Sequence, residues 1–185
     1  MDWLEFWMQP HQEWHRGDGL YFPKMSAQQI SGWIEDIRAG RNTVDRHVIR
    51  LDGRRVGTCT WWWEHEPDGW ARCGVAVYDP AERGQGIGTE ALVLLADVVF
   101  ADTDAQRLDL GTWSGNEGMC GAARSAGFVE EARFGEARWF GAGATTRCIS
   151  GCCATTGNVQ RRGRVVTPER VVMPGRAVPD LPYDT

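Results

Sequence analysis

The segment Arg83-Gly84-Gln85-Gly86-Ile87-Gly88 is the part of the chain best suited to chemistry. It falls between a stretch that alternates as a strand and an apolar stretch with helical spacing. Glycines at 84, 86 and 88 let the backbone take positive φ and come close to a ligand. The helix that follows offers unpaired N–H groups and the positive end of its dipole. Together these make a cradle for an anion of the size of a diphosphate. No Gly-Lys-Ser/Thr follows, so the segment is not a P-loop, and the third glycine comes one residue too early for a dinucleotide fingerprint.

Two other groups carry reactive side chains. His11, Trp14, His15, Asp18, Tyr21 and Phe22 lie together in an early loop, where aromatic rings beside acids suit a cationic amine. Trp61-Trp62-Trp63 alternates faces, so Trp62 opposes its neighbours. If the next hairpin centres on Pro67, Arg72 sits across from Trp62, and Glu64 shares that face. Glu64 is then a candidate general base, or else the partner of Arg72 in a surface pair stacked on Trp62. His47, mid-strand, reads as structural. The six cysteines include no C-x-x-C pair, so no metal site is expected.

The elements that must position these residues follow from patterning. A short amphipathic helix at 2–8 ends before Pro10. Ser26 and Gln29 form a capping box for a helix reaching Ala39, with Ile30, Trp33, Ile34 and Ile37 inward. Strands at 44–51 and 56–64 flank Asp52-Gly53, a hairpin dipeptide. A strand at 70–78 leads into the glycine segment and a helix at 89–101. Strand 107–113, helix 117–126 and strand 128–140 complete the order, which is an α+β fold on a mixed, mostly antiparallel sheet.

Length and composition bound the rest. At 185 residues, 42% hydrophobic and 24% charged, the chain holds one domain with a core, or a domain and a tail. The net charge of −5 argues against nucleic acid as main partner. No apolar run reaches membrane-spanning length, and the N-terminus lacks the pattern of a secretory signal, so a cytoplasmic protein is expected. All ten Trp lie before residue 141. The charge is net −8 up to that point and +3 beyond it, which sets domain boundaries at 1–141 and 142–185.

The chain resembles the GNAT superfamily of acyl-CoA N-acyltransferases. Arg83, Gly86 and Gly88 match the acetyl-CoA motif Q/R-x-x-G-x-G/A. Gly74 to Leu92, Arg107-Leu108-Asp109-Leu110, Asn116, Ala126 to Glu131 and Arg133 continue the likeness, toward the branch of ribosomal-protein N-terminal acetyltransferases. The resemblance covers about residues 3–140. It implies an acetyl-CoA-dependent acetyltransferase acting on a primary amine, either a protein N-terminus or a small-molecule amine such as an antibiotic. It also implies that the backbone at Val75, Ala76 and Val77 pairs with the pantetheine arm. The N–H groups of Arg83, Gly84, Gln85, Gly86, Ile87, Gly88 and Thr89 would hold the pyrophosphate. Asn116 would seat the thioester, while Glu64, from its place on the hairpin face, is the candidate to replace the family's lost base directly or through water. The acceptor would meet His11, Trp14, His15 and Trp62. A homodimer stays open.

Three departures bear on these expectations. Relatives usually carry a strand before the first helix, and here Trp3 already lies in the helix. A carboxylate common in relatives falls on Arg72, and a Tyr general acid falls on Ala123. These losses support a competing class, an impaired acyl-CoA-binding module. Finally, nothing after Gly141 reads like the family's terminal G-L-L-R-D-E-W. One base out of frame, the codons of Ser150 to Gly157 permit G-L-L-R-D-D-W, and the Cys152-Cys153 junction then requires Leu. Residues 142–185 are therefore expected to be a frameshift-derived or disordered basic tail, with the last strand missing or replaced.

Overall fold

A computed structural model describes residues 3–18, 25–41, 44–140, 143–153 and 166–170, with side chains for 3–16, 25–41 and 44–135. Tyr21 and Phe22 lie outside the described residues, as do 142, 154–165 and 171–185 of the tail. The helices are α1 (Trp3–Met8), α2 (His15–Asp18), α3 (Ala27–Arg38), α4 (Ile87–Asp102) and α5 (Glu117–Ser125). The strands are β1 (Asp45–Leu51), β2 (Arg54–His65), β3 (Trp70–Val77), β4 (Arg107–Trp113), β5 (Val129–Phe140), β6 (Gly143–Cys153) and β7 (Val166–Arg170). They form one sheet in the order β5-β6-β4-β3-β2-β1-β7. Every neighbouring pair for which a register is described is antiparallel except β3 and β4. The expected α+β fold is therefore the one that forms.

Local chemistry sets these boundaries. Ser26 Oγ accepts from the Gln29 N–H at 3.3 Å, and the Gln29 side chain accepts from the Ser26 N–H at 2.8 Å, so the capping box starts α3. Asp52 and Gly53 both take positive φ, 49° and 78°, as a two-residue hairpin of right-handed twist demands. The second hairpin turns through Glu66–Asp68, and the Gly69 carbonyl accepts from the N–H groups of Gln106 and Arg107 at 2.8 and 3.1 Å. That contact fixes where β4 begins beside β3.

The sheet buries both faces. On one face α4 packs Leu92, Leu95, Ala96 and Val99 against Ile49, Cys59, Leu108 and Leu110, all nearly fully buried. On the other, Met8, Ile30, Ile34 and Tyr78 form a second core, with Trp3, Leu4, Trp7, Trp14 and Trp33 packed around it. Tyr78 is 1% exposed, its hydroxyl lies 2.7 Å from Thr58 Oγ1, and the Trp3, Trp7 and Trp14 rings sit 5.5, 5.8 and 5.0 Å from its own. These tryptophans fasten α1 and the early loop to the sheet. His47 is buried, with its ring 3.3 Å from the Asp45 carboxylate, the structural placement expected of it.

The composition break at Gly141 is not a break in the sheet. Residues 143–153 pair as β6 between β4 and β5, with Gly111 opposite Ile149 and Val129 opposite Gly151. β7 pairs with the outer edge of β1, His47 opposite Arg170. The expectation allowed the last strand to be missing or replaced, and residues 143–153 and 166–170 take strand positions in the sheet. β4 and β5 each present an edge of backbone donors and acceptors, and β-rich Thr145-Thr146-Arg147-Cys148-Ile149 satisfies both.

Candidate active site

The site begins where two strands part. β3 and β4 pair at Trp70–Arg107, Ala71–Leu108 and Arg72–Asp109. Beyond that point β3 runs on to Val77, still paired with β2, and β4 runs on to Trp113, paired with β6. Among the described residues nothing pairs the facing edges of 73–77 and 110–113. Alternate residues there direct N–H and C=O groups into a slot open to an added extended chain.

At the slot's end stands the N-terminus of α4. Gly86 is its N-cap at φ +86°, with no side-chain cap. Gly84 is likewise left-handed at φ +73°, and a Cβ added at either glycine would meet no atom within 4 Å. Backbone conformation, not crowding, therefore demands glycine. The first-turn N–H groups of Ile87, Gly88 and Thr89 have no partner within the helix. Glu82 beside them is paired with Arg54 at 2.8 Å, which offsets its charge against an incoming anion.

A cleft of about 480 Å³ joins slot and helix end, lined by Val75, Ala76, Val77, Gly84, Gly86, Ile87, Gly88, Thr89 and Asn116, with Trp14, Glu82, Arg83 and the α5 residues Met119 and Ala122. Asn116 caps α5, its Oδ1 accepting from the Met119 N–H at 3.1 Å. Trp113 folds over Gly115, where an added Cβ would lie 1.9 Å from the indole. Glycine there lets the ring lie flat against the turn that presents Asn116.

Several expected site residues have partners of their own within the fold. The Arg83 N–H donates to the Pro80 carbonyl at 3.2 Å, and its guanidinium donates to the carbonyls of Val77 and Tyr78 at 3.1 and 2.9 Å. These bonds lock the loop to β3, and Arg83 also lines the cleft. The Gln85 amide turns back to the Ala81 carbonyl at 2.9 Å and does not line the cleft. His15 Nε2 lies 3.1 and 3.3 Å from the carbonyls of Gln9 and Met8, so its N–H serves the end of α1. His11 is an exposed turn residue. Trp14 donates to the Trp7 carbonyl at 2.5 Å and lines the cleft. Ala123 is 1% exposed, inside the core beside the cleft-lining Ala122.

Glu64 is not a free base. Its Oε1 accepts from Arg72 at 2.9 Å and from the Trp62 indole at 3.0 Å. Arg72 is opposite Trp62, as expected. The unforeseen partner is Asp109, 1% exposed, which accepts from Arg72 Nε and Nη2 at 2.6 and 3.2 Å and from the Trp70 indole at 2.9 Å. Hydrogen bonding to Asp109 raises the Arg72 pKa above its ordinary value. This network clamps the two strands at the point where they part. An aspartate between Leu108 and Leu110 in a buried strand was its trace in the sequence.

Among the described residues no cysteine lines the cleft. Burial pushes the Cys59 thiol up to about 12, which leaves it inert. Cys120 Sγ lies 3.9 Å from the Trp113 carbonyl and is not among the cleft-lining residues.

The fold and the slot define an acyltransferase, and the sequence agrees. The chain belongs to the acetyltransferase (GNAT) domain family, whose model matches residues 2–129. Solved structures share the fold at low identity. A spermidine N-acetyltransferase from Vibrio cholerae, in complex with CoA and spermine, is 14% identical with a TM-score of 0.68, over 82% of this chain and 89% of that one. Mycobacterium smegmatis RimJ, in complex with CoA-disulfide, is 21% identical with a TM-score of 0.60, over 72% and 68%. A ribosomal-protein-alanine N-acetyltransferase from Brucella melitensis is 19% identical with a TM-score of 0.57, over 71% and 80%. The chain is accordingly an acetyltransferase that uses acetyl-CoA and acts on amines. Among the described residues no helix is long and apolar enough to cross a membrane.

Proposed function

We propose that the chain transfers the acetyl group of acetyl-CoA directly to a primary amine in a ternary complex. The observation that carries this is the parting of β3 from β4 beside the uncapped, glycine-led start of α4. The pantetheine arm lies along Val75 to Val77 as an added strand. The diphosphate meets the N–H groups of Ile87, Gly88 and Thr89 and the helix dipole. Asn116 faces the same cleft and is placed to hold an amide of the arm while it caps α5.

Alignment supplies most of the catalysis. A thioester and an amine held at attack distance need only a deprotonated nitrogen. The amine nitrogen bonds to the acetyl carbon, the C–S bond breaks, and CoA leaves as a thiolate. The nitrogen's proton goes to water. Glu64, held by Arg72 and Trp62, stays out of the step.

One observation favours the competing reading of a binding-only module. Arg72 and Ala123 occupy the positions of the residues that relatives use, and neither offers a base or an acid. Release of CoA thiol from acetyl-CoA, followed with a panel of primary amines, separates the two. Transfer predicts amine-dependent release above hydrolysis. Saturable binding with no release from any amine would make the chain a module.

A further inference from the structure

On the α1–α3 face of the sheet, Arg46 lies opposite Thr60, and Thr60 lies opposite Gly74. Arg46 is half-buried, with its guanidinium carbon 4.9 Å over the Trp33 ring. Its Nε is fully shielded from solvent and has no hydrogen-bond partner. Among the described residues no carboxylate pairs with it, while Arg72, Arg54 and Arg41 each hold one at 2.6–2.8 Å. Asp45 alongside turns to the opposite face with His47. A guanidinium with a shielded, unpartnered Nε and no anion beside it is costly, and the Trp33 ring returns only part of that cost. Burial accordingly lowers its pKa from the ordinary value.

The same row opens onto the slot. Gly74 follows Arg72 by two residues, just past the point where β3 leaves β4. A Cβ added at Gly74 would meet only Thr60 Oγ1, at 3.6 Å. Gly74 and Thr60 thus leave a shallow floor from the slot to Arg46, two strand spacings or about 10 Å wide. A polycation laid along this floor would meet Arg46 as a like charge.

We propose that the acceptor is an amine that also carries a carboxylate, bound by Arg46 and the Thr60 hydroxyl while the nitrogen reaches the thioester past Gly74. The planar fork of Arg46 suits bidentate pairing with a carboxylate. This rests on the acetyl transfer proposed above and names its acceptor class. The amine, as free base, forms the new C–N bond, CoA departs as the thiolate, a proton passes to water, and the product is an N-acetyl amino acid.

The probes are 6-aminohexanoate and hexylamine, which match in chain length and differ in the carboxylate. The full chain is assayed for CoA-thiol release and, separately, for calorimetric binding of each probe in the presence of CoA. In the unmodified protein, kcat/KM for 6-aminohexanoate exceeds that for hexylamine at least tenfold, mostly through KM. Arg46→Met brings that ratio near one, and Arg46→Lys retains part of the preference, with melting temperatures confirming that both variants fold. If neither amine is acetylated but 6-aminohexanoate binds in an Arg46-dependent way, the carboxylate site stands and the transfer reading falls. Equal use or equal binding of the two probes by the unmodified protein, or a ratio unchanged in Arg46→Met, overturns the inference.

Discussion

The cleft and the Arg72–Asp109 network meet where β3 parts from β4, yet they are built from different materials. The cleft is backbone: the open edges of β3 and β4, two left-handed glycines and the start of α4. The network is side chains that hold each other: Asp109 with Arg72 and Trp70, Glu64 with Arg72 and Trp62. Backbone geometry recognises what all acetyl-CoA users share. Side chains vary at no cost to that geometry, so they set what is particular to this chain.

The largest effect is expected where the two regions join. Asp109→Ala leaves the Arg72 guanidinium and the Trp70 indole without their buried acceptor. Stripping one partner from such a pair costs about 3 kcal/mol or more, to be read from denaturant unfolding. A loss under about 1 kcal/mol, the range of surface pairs, would reduce the clamp to a surface ornament.

Asn116→Ser sharpens the comparison from the cleft side. Ser caps a helix about as well as Asn, so the melting temperature should hold. The shorter hydroxyl cannot span the donor and acceptor positions of a carboxamide, and turnover should fall about tenfold, the order of one lost cleft hydrogen bond. Unchanged melting together with an unchanged rate would make Asn116 a cap alone.

Glu64→Gln should have the smallest effect. It removes a half-exposed ion pair worth at most about 1 kcal/mol, and amine turnover should stay within about twofold. General-base catalysis contributes about a hundredfold or more. A drop of that size across the pH range would make Glu64 the base and break the division between the regions.

The same division explains what the sequence disclosed. Backbone devices leave compositional traces: Gly84, Gly86 and Gly88, the Ser26–Gln29 box and the Asp52-Gly53 turn all locate their elements within a residue or two. Side-chain networks leave weaker ones. The face pairing of Trp62, Arg72 and Glu64 followed from strand alternation, but Asp109 joins them across a parallel neighbour 37 residues away, which no local pattern encodes. His15 and Trp14 looked like acceptor ligands because aromatic and imidazole rings serve cores and sites equally well. β6 escaped because its sequence lacks long apolar residues, while its place between β4 and β5 is dictated by two open backbone edges.

Calorimetric titration of the intact chain and of Gly86→Val with acetyl-CoA tests the central claim most directly. A β-branched residue at φ +86° carries a left-handed strain of about 1–2 kcal/mol and places methyl groups at the mouth of the cradle. Saturable one-to-one binding by the intact chain, weakened at least tenfold in Gly86→Val, is the predicted result. Equal affinities in the two proteins would contradict the account and remove the backbone cradle from the site.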